Sequence, residues 1–135
     1  MSVLSARGVA IDVLLRVEDG AYANLALPAA LRRRGFDARD RAFATDLVYG
    51  TLRRRGSIDY LLEQVLRRPL TRLDPPVRAA LRLGAYQLVE EVPRHAAVSE
   101  MVTAVSFRSR QGRGFVNAVL RHVADLGPPW PWPRG

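Results

Sequence analysis

A chain of 135 residues with 48% hydrophobic content is long enough for one compact core and too short for two ordinary domains. Its 21 basic side chains are all arginine, and against 13 acids they leave a net charge of +8, which favours a polyanionic partner. Cysteine is absent, excluding disulfides, thiolate metal sites and cysteine nucleophiles, and no run nears the roughly 18 apolar residues of a membrane span.

Met1 to Ser5 lack the charged and apolar blocks of a secretory signal, so a cytoplasmic protein is expected. From Ala6, apolar residues at Val9, Ala10, Val13, Leu14 and Val17 place one stripe on a helix that Asp19-Gly20 ends. Ile11 and Leu15 add a second apolar edge, suited to deep burial or to an intermolecular contact. Proline has no amide to spend inside a helix, so the second helix is expected near Leu27, with Pro28 in its first turn, running to Arg34 before Gly35. Asp37 reads as the N-cap of a third helix with Asp40 in its first turn, passing Phe43 and Leu47 to Arg55 before Gly56. Within it Gly50 costs about 1 kcal/mol relative to alanine, which marks close approach of another helix rather than a kink. Ser57 is the expected cap of a fourth helix, Ile58 to about Leu66. Asp74-Pro75-Pro76 then opens a fifth, with a capping carboxylate and prolines where no amide is lost. Val77, Ala80, Leu81, Gly84, Ala85 and Leu88 form its stripe. A sixth helix from about Arg94 buries Val98, Met101, Val102 and Val105, and a seventh from about Gly112 buries Val116, Val119, Leu120 and Val123.

No window alternates with a period of two, so the chain is all-α, an orthogonal bundle of about seven helices over residues 1–126. Residues 127–135, rich in proline, form an extended tail or interdomain linker. Its Trp130 and Trp132 need a surface to pack on, either the bundle or a following domain.

The cations cluster. A GC-rich genome would explain arginine in place of lysine but not the excess of positive charge. Arg32, Arg33, Arg34, Arg53, Arg54 and Arg55 sit at helix C-termini, where the helix dipole favours one or two cations but does not require runs of three. RNA contact and a solvated helix end are both open for them. Arg113, Asn117 and Arg121 repeat every fourth residue, forming one polar ridge opposite the core stripe of the last helix. Guanidinium forks pair with phosphates and an amide can read a base edge, while Asn117 has the rival role of bonding a neighbouring loop or helix end. Arg78, Arg82 and Tyr86 line a second ridge, with Tyr86 either stacking a base or packing within the protein. Arg108 and Arg110 lead into the last helix and complete the candidate RNA-binding set. His95 near Ser99 and Glu100 invites a catalytic triad, but no strained nucleophile turn, oxyanion donors or orienting acid accompanies them, so no catalytic residue is assigned. With only His95 and His122, and no matching carboxylates, no metal site is assigned either.

Four separated strings carry a family likeness: Leu47-Val48-Tyr49-Gly50-Thr51-Leu52-Arg53, Leu83-Gly84-Ala85-Tyr86-Gln87-Leu88, His95-Ala96-Ala97-Val98-Ser99-Glu100 and Gly114-Phe115-Val116-Asn117-Ala118-Val119-Leu120-Arg121. In that order they resemble the NusB-like helical RNA-binding domain, over about Ala6 to Leu126. The closer resemblance is to the version at the front of bacterial 16S ribosomal-RNA cytosine-5 methyltransferases of the Sun (Fmu, RsmB) family. The resemblance implies a seven-helix bundle that binds RNA, ribosomal RNA above all, and places it for an attached methyltransferase domain.

Those enzymes use a cysteine nucleophile and hold S-adenosylmethionine in a separate α/β domain. With no cysteine and no strand followed by a glycine fingerprint, this chain is not expected to be an enzyme by itself or to need a cofactor. S-adenosylmethionine belongs to the missing domain. A second reading is a free-standing NusB-type transcription antitermination factor acting on single-stranded RNA with a ribosomal protein. That type generally has a dense basic cluster at its extreme N-terminus, where this chain offers only Arg7 before Arg16. A third is a protein-interaction or dimerisation domain docking through Ile11 and Leu15. A monomer or weak dimer without membrane contact is expected.

Overall fold

The structure, a computed structural model, describes residues 5–32 and 35–133. Among these it contains helices α1 (Ala6–Glu18), α2 (Ala23–Arg32), α3 (Ala38–Arg53), α4 (Arg55–Glu63), α5 (Pro75–Val89), α6 (Arg94–Ser106) and α7 (Gly112–Leu126), one 3-10 turn at Leu70–Arg72, and no strand. Local chemistry sets the clearest starts. Ser5 is extended and its hydroxyl accepts the Gly8 amide proton at 3.0 Å, and the Asp37 carboxylate accepts that of Asp40 at 2.8 Å.

Helix α5 runs through the middle, touching α1, α3, α4, α6 and α7. Val77 and every residue from Ala79 to Leu88 are buried, so the helix is enclosed nearly all round rather than along one stripe. Helices α6 and α7 pack as a pair against it, and α1 with α3 covers it elsewhere. Two glycines allow these close crossings. A Cβ on Gly50 of α3 would collide with the Tyr86 phenol of α5, and one on Gly84 of α5 with the Leu120 side chain of α7.

Several boundaries differ from the sequence expectation. Helix α2 begins at Ala23, four residues early, because the Tyr22 carbonyl accepts the Leu25 and Ala26 amides and starts the turn before the proline. Pro28 then lies inside α2 on an exposed position and forfeits a single backbone bond. The break between α3 and α4 falls at Arg54, not Gly56 and Ser57, because Arg54 leaves helical geometry (φ −106°, ψ 19°) while its amide still bonds Gly50. Gly56 is therefore inside α4, and α4 ends at Glu63 rather than Leu66. Asp74 occupies the N-cap of α5, but its carboxylate makes no capping bond; the prolines alone open the helix.

Ile11 is fully buried, so it offers no edge to another chain, and only Leu15 of that pair is half-exposed. Trp130 and Trp132, both half-buried, pack against the bundle itself, with ring centroids 6.5 Å apart and planes tilted by 40°. No helix among the described residues is long and apolar enough to cross a membrane.

Candidate nucleic-acid interface

Three of the candidate arginines are consumed by the fold. The Arg78 guanidinium forks onto Glu18 at the end of α1 (2.9 and 2.6 Å) and donates to the Leu70 carbonyl of the 3-10 turn at 3.1 Å and to that of Leu73 just after it at 2.8 Å. Arg82 grips both carboxylate oxygens of Asp59 on α4 at 2.8 and 3.1 Å and lies 3.6 Å from Glu18. The bond from Arg78 holds the Glu18 carboxyl below its ordinary range, and the same bond raises the Arg78 pKa. Arg108 forks onto Asp12 of α1 (2.6 and 2.8 Å) and donates to the carbonyls of Ala104 and Gly8. Only 10–12% of each of these three side chains is exposed, so they cannot reach a phosphate without leaving the fold.

Tyr86 is also internal. It is 3% exposed, its hydroxyl donates to Asp46 at 3.0 Å, and burial with that acidic neighbour pushes its pKa up to about 12. It packs against Gly50 and offers no face to a base. Arg7, the sole basic residue before Arg16, turns inward as well. It donates to buried Gln87 at 2.8 Å and lies 4.9 Å over the Phe43 ring, and its burial lowers its pKa.

Arg54 pairs with Glu90 and Arg55 weakly with Asp59 at 3.7 Å, both near the surface. Arg32, Arg53, Arg110, Arg113 and Arg121 are exposed and, among the described residues, carry no ion pair or side-chain hydrogen bond. Arg33 and Arg34 lie outside the described residues. The structure therefore divides the candidate set, keeping the ridge of the last helix at the surface and drawing Arg78, Arg82 and Arg108 into ion pairs between helices.

Helix α7 has an open groove on each flank. Toward α6 a groove of about 640 Å³ has a floor of Val98 and Val102, walls of His95, Ser99, Thr103 and Asn117, and Arg94 and Arg121 at one end. Arg94 bonds Asp125 at 2.8 Å and the Arg121 carbonyl at 3.3 Å, joining the start of α6 to the end of α7. Among the described residues, the side chains of His95, Ser99, Thr103, Asn117 and Arg121 make no hydrogen bond to protein, so the structural role weighed for Asn117 finds no partner there. Toward the α4–α5 connection, a smaller groove of about 340 Å³ is lined by Arg67, Arg68, Phe115 and His122, with the Arg68 guanidinium 5.7 Å over the Phe115 ring. An adjoining polar recess adds Arg72, Ser109 and Gln111.

The α6 wall was missed in sequence, although the signal was present. His95, Ser99 and Thr103 repeat every fourth residue, as do Arg113, Asn117 and Arg121, and antiparallel packing sets the α6 ridge across the groove from Asn117 and Arg121. The stacking of Arg68 on Phe115, with Arg67 and Arg72 in the recesses beside it, had no local signal, since Phe115 lies on a separate element.

A seven-helix bundle around one enclosed central helix, with partnerless arginines and an unbonded amide along its last helix, defines a small basic recognition domain. The sequence profile of the NusB family matches residues 4–125, and the chain belongs to that family. Ribosomal RNA small subunit methyltransferase B of Thermus thermophilus is 48% identical over 123 residues, covering 91% of this chain and 31% of that protein. The protein of the same name from Pseudomonas putida is 38% identical over 109 residues, covering 79% and 24%. The chain thus spans under a third of the length of these curated relatives, matching their N-terminal region. Among solved structures, that of the antitermination factors NusB and NusE in complex with dsRNA superposes with a TM-score of 0.81 at 25% identity, covering 90% of this chain and 94% of the other.

Proposed function

We propose that this chain is the RNA-binding module of a small-subunit ribosomal-RNA cytosine-5 methyltransferase, holding the RNA for an attached catalytic domain. The observation that carries the reading is the outer ridge of α7, where, among the described residues, Arg113 and Arg121 have no ion-pair partner and flank an Asn117 amide with no protein bond. Cations left unpaired beside an unspent donor and acceptor suit phosphates with a polar edge between them. Methyl transfer would fall to the attached domain, which would supply the cysteine nucleophile and the S-adenosylmethionine site; this sequence has no cysteine. The module would work in the cytoplasm as a monomer or weak dimer.

Binding of the chain to folded 16S rRNA fragments across a salt series tests the reading. Each phosphate neutralised contributes about 0.7–0.9 to the slope of log affinity against log salt, so Arg113→Glu with Arg121→Glu should reduce that slope by about 1.5. Affinity that is flat in salt, or equal to that of an acidic control protein, would sink it.

The structural likeness to NusB in complex with dsRNA supports a second reading, a free-standing antitermination factor. The inward course of Arg7 weighs against it, since the front of α1 then presents no described basic side chain before Arg16. Preference for a single-stranded leader RNA over folded rRNA in the same assay would reverse the order.

A further inference from the structure

We infer that the groove between α6 and α7 receives a single unpaired nucleobase, read by Asn117 over a valine floor. The inference rests on the RNA-binding reading and goes beyond it by separating base recognition from phosphate contact. Val98 and Val102 form an apolar floor that would leave a phosphate desolvated but suits the flat face of a base. The walls carry what a base edge needs. The Asn117 amide presents a donor and an acceptor together, the pattern that pairs with adenine in two-pronged fashion, and the Ser99 and Thr103 hydroxyls and the His95 imidazole are equally unbonded.

The charges fit the same occupant. No carboxylate lines the groove among the described residues, and Asp125 beside its end is held by Arg94. Arg113 and Arg121 stand one turn to either side of Asn117, placed for the phosphates flanking the base. A volume of about 640 Å³ lies within the range of roughly 300–1,000 Å³ typical of small-ligand sites. A paired base could not use this site, because in a duplex its faces are stacked and only its edges are open.

The test measures binding of the 135-residue chain to three RNAs: a hairpin with an unpaired loop, the same hairpin with an abasic loop, and a blunt duplex with the same number of phosphates. The looped hairpin should bind about tenfold more tightly than the other two, the scale of one two-pronged base contact. Asn117→Ala, which breaks no protein bond, and Val102→Phe, which fills the floor, should each remove that preference and leave duplex affinity within about twofold. Circular dichroism checks that both variants fold, and the alanine variant alone decides if the phenylalanine does not. Salt-dependent binding with no loop preference, or an equal loss on all three RNAs in Asn117→Ala, overturns the base site and leaves the RNA module standing. Binding to none of them overturns both.

Discussion

Replacing Arg78 by methionine separates a structural cation from an RNA-facing one. The substitution keeps an apolar stem but loses the fork on Glu18 and the donors to Leu70 and Leu73. Breaking a buried ion pair by removing one partner costs about 3–5 kcal/mol. Two features place Arg78→Met at the low end. Glu18 is one-third exposed and regains water, and the Leu70 carbonyl keeps the Leu73 amide at 3.1 Å. The Leu73 carbonyl does lose its charged donor. A loss of about 3 kcal/mol results, which for a chain of this size lowers Tm by roughly 10 °C. Urea denaturation and thermal melting read the stability, and RNA affinity is measured at a temperature where the variant is folded; it should stay within about twofold of the parent. An unchanged Tm together with a tenfold loss of RNA affinity would refute the argument and return Arg78 to the interface.

Three further outcomes follow from the same packing. Gly50→Ala should destabilise the protein, because overpacking against Tyr86 costs about 1–3 kcal/mol and exceeds the roughly 1 kcal/mol gained in helix propensity; equal or higher stability in urea would mean that α3 and α5 separate easily. Glu18 has a lowered pKa from its bond to Arg78, so its contribution is full above the ordinary value of 4.5 and is lost as pH falls through the lower folded value. The acid limb of a stability-against-pH curve should therefore flatten in Arg78→Met, and an unchanged limb would count against the pairing. Thr51, 1% exposed with a hydroxyl that finds no partner, should accept valine with a gain of about 1 kcal/mol, whereas a loss would show that water in the neighbouring cavity of about 270 Å³ bonds it.

The NusB-type bundle was legible because its signals are local. Helix periodicity, Asp37, the prolines before Val77 and the glycine at position 50 all act within a turn or at one crossing, and each marks its element without reference to the rest of the chain. The same locality placed Arg113, Asn117 and Arg121 on one ridge. It failed where two neighbouring signals competed. Pro28 outweighed the Tyr22 turn as the marker of α2, and Gly56 outweighed Arg54 as the break after α3.

What only the tertiary structure decided is which cations are free. Arg78, Arg82 and Arg108 read in sequence like the other arginines, but their partners Glu18, Asp59 and Asp12 lie 60, 23 and 96 residues away. A guanidinium becomes structural when folding brings a carboxylate and bare carbonyls within its fork and removes water, and no periodicity encodes that meeting. The groove beside Asn117 is the converse case. Each wall is a four-residue repeat readable from its own helix, but only the docking of α6 on α7 sets the repeats opposite each other over a valine floor.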